Sequence, residues 1–176
     1  LVTLENFEYG GTTTHLINLI NNKAFNNTFF FILTDKNNKS INQILDECNK
    51  KKIKIIYYKS LNALKIKNLI LKFLFYIFKP IFFLFSIIQI TLIMRRVKFD
   101  LLLADCGGYG DFRTEMASIF AGKLLGKKNL FILIHHCYTR PLIWSSIINV
   151  LNLLISKYSS HIIFVSNATK NSMQKN

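Results

Sequence analysis

Residues 99–138 read FDLLLADCGGYGDFRTEMASIFAGKLLGKKNLFILIHHCY, and this stretch decides the fold class. An apolar run at Leu101–Leu103 precedes a glycine-rich turn, a pattern with helical spacing that ends at Gly126, and a second apolar run at Leu130–Ile134. A strand, a helix and a strand in this order form a parallel crossover, whose strands are covered on both faces. The stretch therefore predicts an α/β domain built on a parallel sheet.

The rest of the chain repeats this alternation of strands and helices. The predicted strands are Leu1–Leu4, Thr28–Leu33, Lys52–Tyr58 and His161–Val165, and the predicted helices begin at Thr12, Ser40, Pro141 and Ser166. Alternation of this kind is typical of a doubly wound domain, and 176 residues are enough for one such core. We expect residues 1–176 to form a single Rossmann-like domain, with a mostly parallel sheet and helices on both faces.

One region, residues 61–96, breaks the alternation. It is a long, basic and very apolar helical region in which Lys79–Pro80 interrupts the pattern, and Arg95 and Arg96 close it. A membrane-spanning helix needs about 20 apolar residues, and the uninterrupted part here is shorter. Three alternatives stay open: a helix in a membrane interface, a core helix covering the sheet, and a true membrane span. The span is disfavoured because it would separate strands that must pair.

The charge balance restricts the partners. The net charge of +14 attracts anions, whether nucleic acid, phosphorylated ligands or acidic lipid, although a codon bias towards Lys and Asn would also produce it. The aromatic residues lie in apolar runs and not in a basic stripe, so nucleic-acid binding would rest on charge alone. We expect no nucleic-acid partner.

Polar residues cluster where the two strands of the opening stretch end. Open parallel sheets bind ligands beyond the carboxyl ends of their strands. A histidine there can donate to a phosphate or a sugar hydroxyl, or move a proton, although it can also simply cap the strand. The candidates at this edge are Asp105, Gly107, Gly108, His135 and His136.

A second glycine pair stands before the first predicted helix. Gly10–Gly11 followed by Thr12 leaves backbone N–H groups for an anion, although a plain tight turn explains the pair equally well. The GxGxxG and phosphate-loop fingerprints are both missing. His15 lies one turn into the helix and faces either the cleft or, as an isolated histidine more often does, its local surroundings. Arg113 can hold an anion or be solvated.

Metal binding is not expected from the sequence. His135, His136 and Cys137 are consecutive, and consecutive residues of an extended segment point to opposite sides, so the three cannot ligate one ion. We therefore expect neither a metal nor another cofactor.

Taken in order, these motifs resemble the N-terminal domain of family 4 glycosyltransferases, of the GT-B fold. The resemblance rests on the Gly10–Gly11 loop with His15, the strand that follows Asp100, the strand ending at His135–His136, and the late strand that runs into the sequence VSNATK, residues 165–170. It covers nearly the whole chain. It implies a GT-B architecture, of which this chain is the N-terminal half.

The resemblance also implies a function. Such a half binds the acceptor, a lipid-linked or cell-surface glycan. A C-terminal half beyond Asn176 would bind the nucleotide-sugar. The chain would then be a fragment that is inactive alone. Gly10 and Gly11 would lie near the donor diphosphate, and His135, or as second choice His136, would reach the donor sugar. Family members work without metal, often on the cytoplasmic face of the membrane. One alternative is a non-catalytic membrane-docking or partner subunit. Another is an enzyme that uses a dinucleotide, although the missing GxGxxG fingerprint counts against it.

Overall fold

The computed structural model describes residues 1–4, 10–59, 69–107, 112–136 and 144–174, and within them it forms one six-stranded sheet. All neighbouring strands are parallel, in the order β3-β2-β1-β4-β5-β6. This is the doubly wound order, so the α/β Rossmann-like prediction is confirmed. The strands are β1 (Val2–Leu4), β2 (Phe30–Asp35), β3 (Ile53–Tyr58), β4 (Leu101–Cys106), β5 (Asn129–Ile134) and β6 (His161–Phe164).

Helices cover both faces of the sheet. The helices are α1 (Gly11–Asn21), α2 (Ser40–Glu47), α3 (Leu69–Ile77), α4 (Lys79–Met94), α5 (Thr114–Leu124), α6 (Ser145–Tyr158) and α7 (Asn167–Gln174). On one face α1 and α2 bury Leu16, Ile20 and Ile44 against β1 and β2. On the other face α4, α5 and α6 share a second apolar core with β4 and β5. The chain order changes direction between β1 and β4, where a ligand crevice opens in folds of this type.

The boundaries of several elements differ from the predictions. β2 ends at Asp35 and not at Leu33, because Thr34 and Asp35 are fully buried and pair with β3 despite their polarity. α1 begins at Gly11, one residue before Thr12, and β6 ends one residue before Val165. Pro141, the predicted first residue of α6, lies outside the described residues.

The described part of the apolar region 61–96, which begins at Leu69, contains two helices, and residues 61–68 lie outside the described residues. The predicted interruption at Lys79–Pro80 is confirmed, since α3 ends at Ile77 and α4 begins at Lys79 with the proline in its first turn. α4 buries one stripe, which includes Phe83, Ile87 and Ile90, against α5 and the sheet. None of the described helices has both the length and the apolar character needed to cross a membrane.

Candidate active site

The sheet brings the carboxyl ends of three strands, β1, β4 and β5, to one edge. Leu4, the last residue of β1, pairs with Asp105 in β4, and Asp105 pairs with Leu133 in β5. His135 directly follows β5, and its backbone N–H donates to the carbonyl of Cys106 at 3.1 Å. The carboxyl ends of β1, β4 and β5 therefore form one edge at the point where the chain order reverses, which is where parallel sheets of this type bind ligands.

The central interaction is a hydrogen bond between His135 and Asp105. His135 Nε2 lies 2.7 Å from Asp105 Oδ1, with 10% of the histidine side chain and none of the aspartate side chain exposed. An ionised carboxylate only accepts, so Nε2 is the donor, and Nδ1 is left as an acceptor in the neutral imidazole. The buried carboxylate thus sets both the tautomer and the orientation of the His135 ring.

His15 joins this pair from α1. Its ring lies 5.5 Å from the His135 ring, at an interplanar angle of 71°. The contact crosses from α1 to the end of β5. His15 therefore does not pack only locally, which was the alternative that the sequence favoured. Two buried polar atoms in this group, His15 Nδ1 and Asp105 Oδ2, have no hydrogen-bond partner among the described residues. Unsatisfied buried polar atoms of this kind call for an explanation, and a bound ligand supplies one.

The glycine pair stands at the N-terminus of α1. Gly10 is the N-cap residue, no side chain among the described residues caps the helix, and its first turn contains no acidic residue. A Cβ atom on the exposed Gly11 would have no described neighbour within 4 Å, whereas Thr12 is buried. The uncapped N–H groups and the helix dipole suit an anion.

A second group of predicted residues converges beside Gly107. A Cβ atom there would lie 3.8 Å from both Arg113 Nη1 and His136 Cδ2. Arg113 precedes α5 as its N-cap residue and is half-buried, and its Nε has no hydrogen-bond partner in the part of the chain that the structure describes. His136 is exposed, while His135 bonds to Asp105, so the two histidines serve different parts of the edge. Gly108 lies outside the described residues.

Thr13 is a polar residue of α1 that was not among those predicted from the sequence. It is fully buried in α1, and its Oγ1 has no hydrogen-bond partner within the described ranges. The run of three threonines at the start of the helix, residues 12–14, is the sequence signal that could have pointed to it. The threonine hydroxyl adds a further unsatisfied polar atom to the first two turns of α1.

A separate surface of the molecule is apolar and exposed. Along α4 an exposed stripe lies opposite the buried one, and its members are between 47% and 59% exposed: Ile81, Leu84, Phe85, Ile88 and Leu92. We call this set the α4 stripe. On α3, Phe73, Leu74 and Ile77 are also exposed, as are Ile147, Val150 and Leu153 on α6. Arg95, Arg96 and Lys98 are exposed just beyond the C-terminus of α4, and residues 48–99 contain no acidic residue.

Comparison with known proteins supports the fold. No known family profile and no curated protein sequence matches the chain. Among solved structures, MurG of Acinetobacter baumannii, a GT-B glycosyltransferase, superposes with a TM-score of 0.58 at 13% sequence identity. The match covers 95% of this chain but 42% of the MurG chain. MurG belongs to glycosyltransferase family 28, so the likeness does not support family 4 in particular. The chain has the Rossmann-like fold of the N-terminal half of a GT-B glycosyltransferase.

Proposed function

We propose that this chain is the acceptor-binding half of a glycosyltransferase, which moves a sugar from a nucleotide-sugar to a lipid-linked or cell-surface glycan. The observation that carries the proposal is the His135–Asp105 hydrogen bond at the reversal point of the sheet, in a domain that superposes on MurG. A histidine held by a buried carboxylate is a suitable general base or hydrogen-bond donor at neutral pH. Such a group can take the proton that an acceptor hydroxyl loses as it attacks a sugar.

The chemistry follows from the tautomer of His135. The acceptor oxygen bonds to the anomeric carbon, the bond from that carbon to the nucleoside diphosphate breaks, and the leaving diphosphate keeps the electron pair. The acceptor hydroxyl loses its proton, and Nδ1 of His135 takes it. Asp105 stabilises the imidazolium that forms, because its buried carboxylate accepts the hydrogen bond that Nε2–H donates.

The remaining predicted residues bind and position the substrates. The uncapped N-terminus of α1, with Gly10, Gly11 and Thr12, receives the diphosphate of the donor. The Gly107–Gly108 turn, Arg113 and His136 shape the acceptor side, where the guanidinium can bind a phosphate of a lipid-linked acceptor. His15 completes the wall between the two sides. These three sets occupy one edge of the sheet.

The opposite wall of the cleft is expected from a C-terminal donor-binding domain or a partner chain. The chain spans 42% of the length of MurG, which supports this arrangement. Alone, we expect the chain to show no turnover. The transfer itself uses no metal cofactor, so transfer in excess EDTA should equal transfer without it.

We place the protein on the inner face of the cell membrane, as a peripheral protein in the cytoplasm. The α4 stripe offers apolar contact area, and Arg95, Arg96 and Lys98 can bind acidic headgroups. The same surface favours a second candidate function, a non-catalytic docking subunit of a two-chain glycosyltransferase. The two candidates differ in whether substitutions at His135 affect transfer.

The test is a transfer assay with a panel of nucleotide-sugars and a membrane lipid extract as acceptor, using this chain joined to or mixed with its C-terminal half. His135→Ala should reduce transfer strongly, because general-base catalysis is worth about 10²–10⁴-fold. The matched control is His161→Ala, since His161 is an exposed histidine at the start of β6, on the opposite edge of the sheet. Equal transfer by the wild type and His135→Ala would remove His135 from the reaction and favour the docking subunit.

A further inference from the structure

The three residues His15, Asp105 and His135 also form a constellation of metal ligands. One ligand atom from each lies within 4.8 Å of the other two. Two imidazoles and one carboxylate are the donor set that zinc and neighbouring transition metals prefer. In the sequence these three residues lie far apart, so no ligand spacing predicted a metal site; the strand order and α1 bring them together.

We infer that this triad binds a divalent transition metal ion of the zinc type, and that a bound ion blocks sugar transfer. The binding stands by itself, whereas the block rests on the proposed function. Asp105 supports the binding because it is 1% exposed and its Oδ2 has no partner among the described residues. His15 Nδ1 is likewise buried without one. Among the described residues neither atom has a hydrogen bond to give up, so an ion would replace only the bond between His135 and Asp105.

The distances require only small side-chain movements. In a tetrahedral site with bonds of about 2.1 Å, neighbouring ligand atoms lie about 3.4 Å apart. The 2.7 Å separation of His135 Nε2 and Asp105 Oδ1 would therefore lengthen, and the widest separation, at most 4.8 Å, would shorten. Side-chain rotation would achieve both, since Asp105 lies in β4, His135 directly follows the neighbouring β5, and the His15 ring reaches them from α1. Three protein ligands leave a fourth position for water.

The block of transfer follows from the proton on His135. Nε2 now donates to Asp105, and a nitrogen that coordinates a metal ion carries no proton. An ion bound by Nε2 therefore removes the hydrogen bond that sets the tautomer of His135. It also neutralises the carboxylate that would stabilise the imidazolium. Metal-bound protein and transfer-competent protein are then mutually exclusive states.

The experiment for binding is a ZnCl2 titration of the ¹⁵N-labelled protein, followed by NMR of the imidazole nitrogens. The chain has four histidines, so the variants His136→Ala and His161→Ala assign the remaining signals. We expect the His15 and His135 signals to shift together and saturate at one ion per chain, with His161 unchanged. Shifts confined to His136 or His161, or no shift at all, would overturn the inference.

Asp105→Asn provides the second measurement, because asparagine keeps the size of the side chain. Zn²⁺ affinity should fall at least about tenfold. Loss of a group that only hydrogen-bonds to a metal ligand already lowers affinity by that much, and Asp105 would be a ligand itself. The His161→Ala control should keep the wild-type affinity. Equal affinity of Asp105→Asn and wild type would refute the triad as the site.

The transfer assay separates this inference from the proposed function. ZnCl2 should inhibit wild-type transfer, and EDTA should restore it. If zinc shifts both histidines while transfer continues, the blocking role is wrong. If no transfer is found under any condition, the proposed function fails, while the NMR titration still decides whether the triad binds metal.

Discussion

Replacing Leu84 and Ile88 together by serine is expected to weaken binding of the protein to acidic lipid vesicles by about 20- to 300-fold. Both residues belong to the α4 stripe, and they are 59% and 56% exposed. Their side chains point away from the sheet, opposite the buried residues Phe83 and Ile87. The double substitution therefore removes contact area for lipid without opening a cavity in the core.

The magnitude follows from the exposed fractions. Complete burial of a leucine or isoleucine side chain contributes about 1.5–3 kcal/mol, so immersing the exposed part of each contributes about 0.9–1.7 kcal/mol. Two such residues together contribute about 1.8–3.4 kcal/mol. At about 1.4 kcal/mol for each factor of ten, this gives the range stated above.

The assay is sedimentation with vesicles of phosphatidylcholine and phosphatidylglycerol, compared with phosphatidylcholine alone. The matched control is Phe29→Ser, because Phe29 is 50% exposed but precedes β2, outside the α4 stripe. The control should bind like the wild type. Unchanged binding of the double variant, or an equal loss in the control, would refute the membrane role of the stripe.

Three further predictions concern stability, the anion site and a buried thiol. Gly122→Val should destabilise the fold by about 1–3 kcal/mol in urea unfolding, since a Cβ there would lie 2.6 Å from Leu130 Cδ2; an unchanged midpoint would contradict the packing of α5 on β5. Gly11→Val should leave the unfolding midpoint near that of the wild type, because no described atom lies within 4 Å, yet lower transfer strongly; normal transfer would exclude α1 from the diphosphate site. Burial, and secondarily the charge of Glu47, raises the pKa of Cys48 above its ordinary value of 9.0, so iodoacetamide at pH 8 should alkylate it more slowly in folded than in unfolded protein, by peptide mass spectrometry. Equal rates would mean that Cys48 is accessible.

Much of the fold could be predicted because its determinants are local. The apolar runs at β4 and β5, with a helical pattern between them, require a parallel crossover wherever they occur. The boundary of β2 could not be predicted, because Thr34 and Asp35 are polar and only the neighbouring strand makes their burial favourable. Likewise, the uniformly apolar sequence of α4 does not reveal which of its faces meets the sheet.

Of the candidate site, only its location at one edge of the sheet could be predicted from the sequence. Two strand ends carrying Asp105 and His135 must lie at the same side of a parallel sheet, so their proximity followed from the pattern. Their hydrogen bond depends on the register of β4 with β5, which no local pattern encodes. The position of His15 depends on strand order as well, since β1 must stand next to β4 before α1 can bring its histidine to His135.

If the buried Asp105 makes His135 competent for sugar transfer, Asp105→Asn should slow the reaction. A hydrogen bond to a charged group is worth about 1.5–3 kcal/mol, so kcat for transfer should fall about 10- to 150-fold. The KM for the nucleotide-sugar should stay close to the wild-type value, because Asp105 acts through His135 and does not bind the donor. The His161→Ala control should keep both constants. An Asp105→Asn enzyme that folds and transfers sugar at the wild-type rate would show that His135 does not depend on Asp105.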